Sequence, residues 1–141
     1  MKQFFLILVS TVMLFSCDEK DLEKVEYSTS TMMGRTVLSV SKDSVVVNFN
    51  GRGNPTHFSR ATKDGEWDGV LSSLSKVEFD QVGDLTAPSN KRATDAAAHA
   101  SFIFITKDST IRSASFDDNN PHEMLIPLMK EINKIQEENK K

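Results

Sequence analysis

Four consecutive apolar residues, Phe102-Ile103-Phe104-Ile105, constrain this chain more than any other feature. Successive side chains of a strand point to opposite faces, so this run places apolar groups on both. Such a strand belongs inside a sheet, with cover on two sides at least in part. Residues 98–106 are therefore predicted as a central strand. Lys107-Asp108-Ser109 then turns the chain into a partner strand over 110–116.

The preceding segments read as another hairpin. Thr36, Leu38 and Val40 alternate with Val37 and Ser39, Ser41-Lys42-Asp43 makes a tight turn, and Val45, Val47 and Phe49 share one face. The turn Gly51-Arg52-Gly53-Asn54-Pro55 leads to a weaker strand over 56–60.

Two helices complete the pattern. Thr62 is the expected N-cap of the first, which carries Asp64 and Glu66 in its opening turn and Trp67, Val70, Leu71 and Leu74 at helical spacing. Gly65 and Gly69 weaken it by about 1 kcal/mol each relative to alanine, so packing must hold it. The last helix opens at Asn120-Pro121-His122-Glu123 and shows a stripe of Leu125, Leu128, Met129, Ile132 and Ile135. Pro127 lacks a backbone donor, so the helix either kinks there or begins its regular part there. The resulting expectation is an α+β domain. It has an antiparallel sheet of about four to five strands with two helices packed on it, in the order β-β-(β)-α-β-β-α.

Composition narrows the class. The 141 residues suit one domain, and 38% apolar with 26% charged is ordinary for a globular protein. A net charge of -3 argues against a nucleic-acid partner, which asks for a basic patch. The single cysteine, Cys17, excludes an intrachain disulfide.

The N-terminus carries an address. Lys2 precedes an apolar run from Phe4 to Phe15, broken only by Ser10 and Thr11. Twelve helical residues rise about 18 Å, well short of the roughly 30 Å hydrocarbon core, so the run reads as an export signal rather than a span. Leu14-Phe15-Ser16-Cys17 resembles the lipobox of bacterial lipoproteins. That resemblance implies cleavage before Cys17 and acylation of its sulfur. The following Asp18-Glu19-Lys20-Asp21-Leu22-Glu23-Lys24 is similar to the surface-export signal of Bacteroidota-type lipoproteins, whereas an Asp after the cysteine signals inner-membrane retention in proteobacterial ones. A plain solvated tether would carry such charge in either case. The expected layout is a signal peptide over 1–16, an acylated cysteine and polar tether over 17–30, and a single α+β domain over 31–141.

A wider pattern covers most of residues 58–135: Glu66-Trp67, Ala87-Pro88-Ser89 with Arg92 and Asp95, Ala98-His99-Ala100, and Ser115-Phe116-Asp117 before Pro121. It resembles small uncharacterised lipoproteins of Bacteroidota-type bacteria. The resemblance implies architecture and a place in the bacterial cell envelope, lipid-anchored at the outer membrane. It transfers no catalytic residue.

Candidate chemistry is sparse. Asp95 and His99 flank the start of the central strand, while Asp117, Asp118 and His122 lie between the last strand and the last helix. If those ends converge, they could do acid–base work or bind a cation. The plainer reading makes the aspartates turn residues and Asn120 a helix cap. Lys91-Arg92 offers a small basic spot. His57, His99 and His122 match no compact metal-ligand spacing, and no cofactor fingerprint or Gly-x-Ser-x-Gly elbow is present. Asp95, His99, Asp117, His122 and Arg92 are thus candidate binding residues, with Cys17 the lipidation site. No catalytic residue, metal or cofactor is assigned.

Three functions fit. The first is a non-enzymatic binding module that meets the membrane through its lipid and an envelope or extracellular protein through its domain. The second is a peptidase inhibitor presenting the Gly51–Pro55 turn or the Pro88–Ala97 loop. The third is a small hydrolase or metal-binding protein built on Asp95, His99, Asp117 and His122.

Overall fold

The computed structural model describes residues 21–141; the signal segment and Cys17 lie outside the described residues. Seven strands, β1 (Leu22–Thr31), β2 (Gly34–Ser41), β3 (Ser44–Gly51), β4 (Thr56–Ala61), β5 (His99–Thr106), β6 (Thr110–Arg112) and β7 (Phe116–Asp117), form one sheet. Two helices, α1 (Glu66–Ser73) and α2 (Ile126–Glu138), accompany it. The strand order is β4-β3-β2-β1-β5-β6, with β7 paired to β5, and every pairing is antiparallel. The α+β class holds, with more strands than expected and a different order.

The largest departure is β1. The tether expected over 17–30 is, from Leu22 onward, a central strand that pairs with β2 on one side and β5 on the other. Its alternation is real but half polar: Val25 and Tyr27 are buried, while Lys24, Glu26 and Ser30 take the other face. A bulge at Glu23 breaks the period, since Leu22 pairs with Thr106 and Lys24 with Ile105. Leu22 therefore returns to the core side despite its even number.

The predicted strand over 110–116 is split. The Ser113 hydroxyl accepts from the Phe102 amide at 2.9 Å, and the Ala114 amide donates to the Val82 carbonyl at 2.8 Å. Those partners pull the chain off the ladder before β7 rejoins it at Ala100 and His99.

The first helix starts later than expected. The Thr62 hydroxyl donates to the Ser41 carbonyl instead of capping, and Gly65, with φ of 83°, takes the N-cap position. A Cβ at Gly69 would meet the Glu131 carboxylate of α2 at 2.8 Å, the far end of a side chain that can swing aside. The second helix is preceded by a single 3-10 turn, Glu123–Leu125, in which His122 rather than Asn120 caps. Pro127 occupies the first turn of α2, where its missing donor costs nothing.

One face of the sheet joins the helices in a single core. Val25, Tyr27, Leu38, Val40, Val45, Phe102 and Phe104 cluster with Trp67 and Val70 of α1 and Leu128, Ile132 and Ile135 of α2. Burying each of these side chains contributes on the order of 1.5–3 kcal/mol, which outweighs the poor helix propensity of the two glycines.

Candidate functional site

Asp117 is the most heavily engaged of the predicted site residues. It is 2% exposed and accepts from the Ser89 hydroxyl at 2.5 Å, the Lys91 amide at 2.8 Å, the Arg92 amide at 2.9 Å and the Arg92 guanidinium at 3.1 Å. Burial alone would raise its pKa. These four donors outweigh burial and hold the carboxyl well below the usual carboxylate range. A carboxylate so occupied has no free lone pair to accept a substrate proton. Asp117 and Arg92 thus clamp the loop between Ser89 and Asp95 onto the edge strand β7. That loop ends in an Asp95 of φ 55°, exposed at its tip.

The remaining candidates fall into separate places. Asp95 and His99 line one cleft of about 460 Å³ with Ser30, Met32, Met33 and Ala96–Ala98. His122 lies in a different groove, beside Leu85, Phe116 and Leu125, and its Nδ1 accepts the Met124 amide at 3.2 Å. His99 faces Asp117 across the β5–β7 ladder. The structure therefore brings Asp95 and His99 together and ties Arg92 to Asp117, but it leaves His122 apart. Among the described residues no group of three or more His, Cys, Asp or Glu side chains converges on one point.

Tyr27 joins this end of the sheet to the core. Its hydroxyl donates to Asp118 at 2.5 Å, and burial, together with that carboxylate, pushes the phenol pKa above its usual range.

Sequence reasoning missed the opposite face of the sheet, which no helix covers among the described residues. There Ser28 of β1 and Ser101 of β5 lie directly opposite each other, 5% and 8% exposed. Arg35 of β2 donates to the Ser28 hydroxyl at 2.8 Å, and Arg112 of β6 donates to the Ser101 hydroxyl at 3.2 Å. Both arginines, with Ser30, His99 and Ser115, line a groove of about 230 Å³. Among the described residues neither guanidinium lies within 4.0 Å of a carboxylate oxygen. Arg60 and Arg92, by contrast, each meet one, at 2.7 and 3.1 Å. The available signal was the Val25-Glu26-Tyr27-Ser28 alternation, which would have placed β1 in the sheet and Ser28 on its open face.

Several residues of the wider pattern have local structural roles. Glu66 accepts both terminal nitrogens of Arg60 and the Lys63 amide, Trp67 is buried, and Ser89 and Arg92 serve Asp117. The Arg60 fork, followed by partial burial in opposition, sets the Glu66 pKa below its ordinary value. Comparison with known proteins finds no family model, no curated protein and no solved structure that matches this chain.

Proposed function

We propose that this chain is a lipid-anchored, non-enzymatic binding module of the bacterial cell envelope, acylated at Cys17 and presenting the open face of its sheet to a partner. One observation carries the reading: among the described residues the helices join only one face of the sheet, and the other holds grooves lined by serines, Arg35, Arg112 and His99. An antiparallel sheet needs cover on one side only, which leaves the second side open to ligand contact. The acid–base alternative has less support, because Asp117 is fully occupied and His122 stands apart.

Co-purification from the native envelope with the anchor intact tests this reading. A Val46→Arg substitution, on the open face of β3, is expected to lose the partner, while Lys130→Glu, on exposed α2 surface, keeps it. The reverse pattern would refute the reading. Mass spectrometry should find the diacylated Cys17 as first residue; an intact leader or a free thiol would remove the anchor.

A second reading, a peptidase inhibitor, draws support from the 88–97 loop. Its backbone is pinned by Asp117 while Ala93–Ala96 stay exposed, the rigid and protruding form that a cleft can grip without ordering cost. A panel of secreted and envelope peptidases, assayed at micromolar chain, separates the two readings: slowed hydrolysis favours the inhibitor.

A further inference from the structure

We propose that the Arg35–Arg112 groove binds a tetrahedral oxyanion, the phosphate or sulfate of an organic monoester. The inference rests on the reading of the open face as a binding surface and names its ligand class. The two arginines reach inward from β2 and β6, on either side of the β1–β5 pair. They end on hydroxyls of residues that are direct cross-strand partners, so the two cations approach the same spot. Side chains of opposed residues lie about 5 Å apart at Cβ. The two cations thus flank one polar groove, and among the described residues neither has a carboxylate oxygen within 4.0 Å, so an anion seated there meets positive charge from both sides.

The geometry favours a tetrahedral group over a planar one. A carboxylate is satisfied by a single guanidinium fork. Here donors come from two flanks, with the Ser28 and Ser101 hydroxyls beneath and Ser30 and Ser115 at the rim. A phosphate or sulfate offers three terminal oxygens in different directions and can meet all of them. The groove shares Ser30 and His99 with the larger cleft that holds Met32, Met33 and Ala97, so the carbon part of an ester has an apolar bed next to its charged head.

Calorimetry on the full-length chain in neutral detergent tests the proposal, with inorganic phosphate, sulfate, phenyl phosphate and acetate as probes. Phosphatidic acid in mixed micelles separates a lipid headgroup from a soluble ester as the source. Phosphate and sulfate should bind and phenyl phosphate more tightly, with acetate weakest. Arg35→Gln and Arg112→Gln should each weaken binding about 10-fold or more, the loss of a charge-assisted fork, while Lys130→Gln leaves it unchanged. If a glutamine variant does not fold, Arg35→Lys and Arg112→Lys keep the charge and should still weaken binding several-fold. Acetate binding as tightly as phosphate, wild-type affinity in both glutamine variants, or no heat from folded wild type at millimolar probe would each overturn it. In that last case, continued partner capture sensitive to Val46→Arg would leave the binding-module reading standing.

Discussion

Ser101 and Phe102 are adjacent in the chain and belong to different worlds. Phe102 sits on the covered face, its ring 5.3 Å from Tyr27 and 5.6 Å from Phe116, with no exposure to water. Ser101 sits on the open face under the Arg112 guanidinium. Arginines divide in the same way. Arg60 and Arg92 are committed to carboxylates that tie one element to another, whereas Arg35 and Arg112 meet only hydroxyls. One face carries the apolar core that joins the helices, and the other carries hydroxyls, charges and the two arginines.

The contrast can be broken at its strongest point. Phe102→Ala should destabilise the chain by about 3–5 kcal/mol, the range for a large ring removed from a packed core; a urea titration measures it, and a loss under about 1 kcal/mol would mean the covered face is not the core. Acid comes next. Because the folded Asp117 and Glu66 pKa values are lowered, their stabilisation is full above the ordinary values of 3.8 and 4.5 and is lost as pH falls through the depressed folded ones. Stability should therefore decline below about pH 5, and Asp117→Asn should both lower it at neutral pH and flatten that decline. Urea midpoints taken at several pH values show whether the two slopes differ.

Tyr27→Phe should be smaller, about 1 kcal/mol, since it removes the bond to Asp118 and a long 3.4 Å one from the Asn119 amide, and Asp118 can turn to water. Smallest of all, Ser101→Ala should change the thermal midpoint by at most a degree or two, because its partner Arg112 is exposed and can be hydrated. A large loss there would mean that the open face, too, holds the fold together.

The covered face was legible from sequence and the open face was not, for physical reasons. Phe102 and Phe104 of the central run and the stripes Trp67-Val70-Leu74 and Leu128-Ile132-Ile135 announce themselves, since burial demands apolar residues at fixed spacing, while Ile103 and Ile105 of the same run fall on the open face. In β1 only Val25 and Tyr27 carry that signal, diluted by Glu26 and Ser28 and interrupted by the Glu23 bulge, so the segment read as a tether. Losing β1 also lost the groove, because Arg35 and Arg112 line one site only when β1 and β5 lie between them. Ser113 and Thr62 misled for another reason. Their hydroxyls bond to distant backbone, and local propensity contains no record of such partners. Pro127 was easier, as a ring without a donor has few places to go in a helix.

The position of Leu22 sets a leash. It opens β1 only five positions after Cys17, a reach of at most about 17 Å, about half the roughly 33 Å length of the ten-residue strand itself. With Cys17 acylated as proposed, the domain cannot roam. The turns at Ser41–Ser44 and Thr106–Thr110 share the Leu22 end of the sheet and would be the parts nearest the anchor, while the Met32–Met33 tip lies at the opposite end. The arginine groove, with Ser30, Arg35 and His99, would then lie in the half of the sheet farther from the anchor.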